Sequence, residues 1–172
     1  MSAPNFVLIT ELQTLTRRDF PVTDATVIPP LNSNALVDGE WLEMDTTPSY
    51  TLKRGASGSG VHEGTNALVW PVHTEKGRYD VQAISKVNVL FGGMYEAETA
   101  IANTTSLVVG SALTVQDVST LGFATRRGLG LQTGAEGTGV VVVGYVSRLI
   151  SEGLQYPGMK IRFVHFGNQK LF

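Results

Sequence analysis

Val81-Gln82-Ala83-Ile84-Ser85-Lys86-Val87-Asn88-Val89-Leu90-Phe91 alternates with a period of two. Val81, Ala83, Ser85, Val87, Val89 and Phe91 fall on one face, and Gln82, Ile84, Lys86, Asn88 and Leu90 on the other. That is the signature of a β-strand and not of a helix. Gly92-Gly93 breaks the run, and residues 94–101 resume it with Met94, Glu96, Glu98 and Ala100 opposing Tyr95, Ala97, Thr99 and Ile101. Two alternating runs joined at a glycine pair read as a hairpin.

Working outward, strand signals recur at the spacing of a small barrel or sandwich. Residues 35–44 alternate around Leu36, Asp38, Glu40 and Leu42, with Asp38-Gly39 as a turn or bulge, and residues 50–54 form a second short strand. Residues 55–60 are only glycine, alanine and serine, a loop with nothing to bury. In residues 66–74, Leu68, Val69, Trp70 and Val72 read as a strand that Pro71 confines to an edge or a bulge. Val140 to Val143, continuing through Tyr145 and Val146, is a β-branched run buried on both faces, and residues 159–166 place Ile161, Phe163 and His165 on one face. Helical spacing occurs twice, at Val115, Val118 and Leu121 and within residues 147–155, so one or two short helices are expected.

Residues 1–34 differ from the rest. Pro21, Pro29 and Pro30 deny ladder donors, and polar residues from Thr14 to Asp19 follow the one apolar run, Phe6, Val7, Leu8 and Ile9. The expected organisation is an extended N-terminal arm over 1–34 and a β-barrel domain over 35–172. Phe6 to Ile9 either add an edge strand to their own domain or reach a neighbouring subunit.

Composition supports the all-β reading. The chain has 172 residues, of which 20 are Val, 18 are Thr and 19 are Gly. β-branched residues suit a pleated surface and glycines supply turns. Cysteine is absent, which excludes disulfides, thiolate metal sites and cysteine nucleophiles. A net charge of −2 gives no electrostatic reason to expect nucleic acid or an anionic membrane as partner, and no apolar run is long enough to span a bilayer. The start of the chain lacks a basic-then-apolar leader, so synthesis in a cytoplasm is expected. Charged residues make up only 16%, which hints at a surface covered by neighbours. Residues 1–60 carry 4 Lys+Arg against 7 Asp+Glu, and residues 111–172 carry 6 against 3, an asymmetry that favours contacts between unlike ends of copies.

Motifs that carry chemistry are thin. Gly58, Gly60 and Gly64 lack the lysine of a phosphate-binding loop, and Gly128, Gly130 and Gly134 fail the dinucleotide spacing. His62, Glu63, His73 and Glu75 match no metal-ligand pattern, so no metal or other cofactor is expected. Glu96 and Glu98 share a strand face, which reads as solvated rather than as a glycosidase pair. Serine stands in no nucleophile elbow, so no catalytic residue is nominated and the chain reads as a non-enzyme. Arg17-Arg18 and Arg126-Arg127 are the adjacent arginine pairs, suited to carboxylates on a partner or simply solvated.

The proline-broken arm, the strand Val81 to Leu90, the segment Ser111-Ala112-Leu113-Thr114-Val115 and the run Gly137-Thr138-Gly139-Val140-Val141-Val142-Val143-Gly144-Tyr145-Val146 together resemble the head decoration, or cement, proteins of tailed bacteriophages. The resemblance is a pattern over about residues 35–166, without a defining motif. It implies a β-barrel or β-tulip body, a homodimer or homotrimer, and binding to the major capsid protein on the outside of an expanded head. On that reading the contact residues are Phe6, Val7, Leu8, Ile9, Arg17, Arg18, Arg126 and Arg127. A tail-tube or head-completion protein is the alternative within the virion. A carbohydrate-binding sandwich with Trp41, Trp70 or Tyr95 as stacking platforms is the alternative outside it.

Overall fold

The computed structural model describes residues 5–11, 15–22, 36–46, 49–53, 68–73, 86–118, 126–133, 141–150, 154, 159–167 and 169–170. Among them are thirteen strands and no α-helix, so the chain is all-β. In chain order the strands are β1 Phe6–Glu11, β2 Thr16–Pro21, β3 Trp41–Thr46, β4 Ser49–Lys53, β5 Val69–Pro71, β6 Lys86–Gly92, β7 Tyr95–Thr99, β8 Ala112–Val118, β9 Arg126–Leu131, β10 Val141–Val142, β11 Gly144–Leu149, β12 Ile161–His165 and β13 Gln169–Lys170.

Five of them close a small barrel. β2 pairs with β6, and β3 pairs with β4 on one side and β5 on the other, all antiparallel. Two bridges complete the circuit, Val72 to Val89 between the β5 end and β6, and Val22 to Leu52 between the β2 end and β4. Pro71 contributes no donor, and the following residue, Val72, makes the bridge. Because side chains alternate along each strand, one parity points inward. Phe20, Leu42, Leu52, Trp70, Val72, Val87 and Val89 fill the interior together with Leu36, and Val22, Met44 and Phe91 pack against them.

The second body is a six-stranded sheet in the order β1-β7-β12-β11-β8-β9. Its β9 end is tied back to the chain beyond β7: Leu129 N donates to Ile101 O at 3.0 Å and Asn103 N donates to Leu129 O at 2.8 Å. Its core takes Phe6, Tyr95, Ala97, Leu113, Val115, Leu129, Val146, Ile161 and Phe163, and also Trp41, Val69 and Leu90. Those last three are the outward parity of β3, β5 and β6. The same barrel wall therefore serves two cores, which explains why β6 is buried on both faces at Val89 and Leu90.

The structure bears on four expectations. β6 and β7 form no hairpin: β6 pairs with β2, and β7 pairs with β1 and β12, so Gly92-Gly93 is where the chain changes sheets. The expected helical turn from Val115 is β8, a strand whose partner β9 lies too far along the sequence for local periodicity to reveal it. Of residues 147–155, the other stretch of helical spacing, 147–149 belong to β11 and Ile150 turns into 3-10 conformation, while 151–153 and 155 lie outside the described residues. Finally, of the two expectations for Phe6 to Ile9, the edge strand added to their own domain is the one the structure shows, and residues 15–22 of the expected arm are likewise built into a sheet. β1 pairs with β7 and β2 with β6, with Phe6 and Phe20 in the two cores. Residues 23–34 of the expected arm lie outside the described residues, as do residues 81–85 of the long alternating run, the glycine-rich loop 55–60, and His62, Glu63 and Glu75.

Candidate functional site

The expected contact residues fall at three separate places. Phe6 to Ile9 lie on β1, an end strand of the six-stranded sheet. Phe6 is buried and Leu8 packs on the core, while Val7 and Ile9 are half-buried. Ala100 N donates to Asn5 O at 2.9 Å, and in an antiparallel ladder every second residue bonds to the same neighbour. Val7 therefore turns its N–H and C=O toward β7, and Phe6 and Leu8 turn theirs to the opposite edge. Among the described residues no strand pairs with that edge. A bulge between Leu8 and Thr10 twists it locally.

Arg17 and Arg18 are exposed on β2. Arg18 shares the inward parity of Phe20 and sits at the end of the barrel, its guanidinium carbon 5.6 Å from the Phe20 ring centre, 5.2 Å from Tyr50 and 5.4 Å from Phe91. Phe20 stacks on Trp70 at 5.6 Å, and Trp70 meets Phe91 at 4.9 Å, so the rings form one continuous floor. Tyr50 is 54% exposed and holds a φ of 73°, a strained conformation for an aromatic residue. Sequence reasoning passed over Tyr50 and Phe91. Their shared inward parity with Arg18 was the available signal, but parity names a face without naming the strands that meet there.

Arg126 and Arg127, the third expected pair, are corrected: each is only 5% exposed and neither is free for an outside partner. Arg126 Nη1 donates to Glu40 Oε2 at 3.0 Å, across the junction of the two bodies, and Arg127 Nη1 donates to Asp117 Oδ1 at 3.0 Å on the neighbouring strand. The Glu96 and Glu98 face is corrected in the same way. Glu98 is fully buried in an ion pair with Arg162, and Glu96 accepts a hydrogen bond from Ser147 Oγ at 2.8 Å. Burying a charge is costly unless it is paired, so these arginines and carboxylates are held by each other.

The sugar-stacking platforms are absent from the surface: Trp41, Trp70 and Tyr95 are all buried. Tyr95 stacks on His165 at 4.8 Å and Trp41 approaches the same ring at 6.1 Å. Trp41 Nε1, Tyr95 Oη and Thr114 Oγ1 are buried without a protein partner. Burial pushes the Tyr95 phenol above its ordinary range, leaving it a neutral group. Burial also lowers His165, against the opposing pull of the hydrogen bond from its Nδ1 to the Val143 carbonyl. His73 rests against the Phe6 ring at 5.5 Å, and no cluster of metal-binding side chains occurs among the described residues.

Two adjacent exposed apolar side chains stand on an ordered turn. Val108 and Val109 are exposed between buried Leu107 and Gly110, whose φ is +88°. Ser111 N donates to Val108 O, Val108 N donates to Ser111 Oγ, and Gly110 N donates to Val146 O. The turn is thus fixed to β11 while its tip stays in water. No protein-family model, curated protein or solved structure matches this chain.

Proposed function

We propose that this chain is a non-enzymatic structural protein of a bacteriophage virion, which binds the major capsid protein on the outer surface of the expanded head and reinforces it. The edge of β1 with which no described strand pairs carries this reading. An edge strand offers a row of backbone donors and acceptors, and adding a strand from a coat subunit satisfies them without any side-chain chemistry. The outward groups belong to Phe6 and Leu8, whose side chains anchor the strand in the core, so the edge is rigid rather than an arm that must order on binding. Val108 and Val109 supply a second apolar contact, fit for another copy in a homodimer or homotrimer. On a lattice, modest contacts repeated many times give lasting attachment. The carbohydrate-binding alternative loses its support with the burial of Trp41, Trp70 and Tyr95.

The test is co-sedimentation of the purified protein with expanded, undecorated heads. Deleting residues 1–20 is unsuitable, because it removes Phe6 and Phe20 from the cores. Leu8→Pro withdraws an outward N–H, and Ile9→Lys places a charge on the edge strand. Saturable binding that both variants weaken, with their melting transitions retained, supports the reading. Absence of wild-type binding overturns it, and undiminished binding of both variants overturns the edge mechanism.

A further inference from the structure

Among the described residues, Arg126, Arg127 and Arg162 each face a carboxylate of the same chain, Glu40, Asp117 and Glu98 respectively. Arg18 is placed differently: it is exposed, its guanidinium lies over three aromatic rings, and it has no acceptor among the described residues. It is also the one charge among the inward-parity positions of the described barrel strands. A guanidinium lying on rings spends its flat face on them and keeps its N–H donors, which point outward in its plane. At the mouth of the barrel those donors face water, because Arg18 is exposed and Tyr50 stands 54% exposed beside it.

We propose that this mouth is a carboxylate-binding site, with Arg18 as its cation and Phe20, Tyr50 and Phe91 as its walls, which takes an aspartate or glutamate side chain presented by a partner protein. Charge selects the class: one planar cation with a bidentate fork matches a single carboxylate, whereas a phosphate dianion calls for further donors that the apolar walls do not provide. Apolar area selects the carrier. A lone exposed ion pair binds a free small acid feebly, so affinity requires flanking side chains that cover the rings, as a protein segment supplies. The strained φ of Tyr50 fits this role, since it keeps an aromatic wall at the rim instead of folding it inward. The site is separate from the β1 edge, so either can fail without the other.

The experiment is an NMR titration of the labelled full-length chain, following the Arg18 Nε–Hε signal. The probes are a peptide with one glutamate flanked by leucine and tyrosine, its glutamine twin, and inorganic phosphate. A saturable shift with the glutamate peptide is expected, weakened about tenfold or more with the glutamine twin, as for loss of a hydrogen bond to a charged group. Arg18→Lys keeps the charge but loses the fork, and Tyr50→Ala removes a wall; both are expected to weaken the glutamate peptide to a similar degree. The wild-type comparison of the two peptides needs no variant to fold. No saturable shift, or equal shifts with glutamate and glutamine, overturns the site, and an equal response to phosphate overturns its assignment to a protein carboxylate.

Discussion

The barrel and the six-stranded sheet solve the same problem with different materials. Inside the barrel, rings and branched aliphatics pack, with Arg18 the one cation among the described inward positions. The sheet builds charge into its fabric: Glu98 with Arg162 and Asp117 with Arg127 lie on neighbouring strands, and Glu40 with Arg126 ties the sheet to the segment that enters the barrel. Apolar packing is tolerant of small changes, whereas a buried ion pair is an all-or-none arrangement. The difference locates where the fold is most easily broken, and it orders the expected effects of substitution.

The largest is at the junction. Glu40→Ala removes the carboxylate that the buried Arg126 guanidinium meets at 3.0 Å, and a loss of about 3–5 kcal/mol is expected in chemical denaturation. The double variant Glu40→Leu, Arg126→Met removes both charges, and its loss should be much smaller. If the single and the double variants lose equally, packing rather than charge holds the junction.

Next comes the closure of the sheet. A Cβ on Gly128 would collide with the Ile101 carbonyl oxygen, the same atom that accepts from Leu129 N. Backbone must move to admit it, so Gly128→Ala is expected to cost about 1–3 kcal/mol. Gly144→Ala should behave similarly, since its Cβ would meet the Val164 carbonyl oxygen at 2.6 Å. Urea midpoints unchanged in both would mean that the strands can separate without cost.

Strands were legible in the sequence where alternation was long, as in β12, where Ile161, Phe163 and His165 are buried on one face as expected. Pro71 read as the mark of an edge or a bulge, and it is the last residue of β5, an end strand of its three-stranded sheet. Partners were not legible. Glu40 and Arg126 stand 86 residues apart, so nothing local distinguishes Arg126-Arg127 from a solvated pair. The glycines at 128 and 130 fail as a nucleotide loop, and only the tertiary contacts show why they are there: one admits the Ile101 carbonyl and the other the Gln116 side chain. For the candidate site, Arg18 was visible as a contact residue, but two of the three rings that position it come from other strands, Tyr50 on β4 and Phe91 on β6.

A third expected effect separates the two cores by pH. The sheet's core holds His165 below its ordinary value of 6.5 through desolvation. The unfolded chain takes up a proton near that value while the folded chain resists it. Stability is therefore full above about pH 6.5 and declines as pH falls toward the folded value, by at most ~1.4 kcal/mol per pH unit. Denaturation midpoints between about pH 7.5 and 5 measure it, and His165→Gln should flatten the slope. A slope unchanged by the substitution would assign the proton uptake to other groups.

The smallest expected effect lies where the chain leaves the barrel for the sheet. Gly92 has nothing within 4 Å of an added Cβ and no positive φ, while Gly93 has a φ of 103°. Gly92→Ala should raise stability by about 0.4–1 kcal/mol, by restricting the unfolded chain, and Gly93→Ala should lower it by more than that. A two-residue hairpin turn needs positive φ at its first central position in types I′ and II′ alike, so Gly92→Ala would then destabilise. A gain at Gly92 with a loss at Gly93 is what a single kink between two sheets requires. Thermal melts of the two variants decide it, because only the sheet-switching geometry predicts that Gly92→Ala gains.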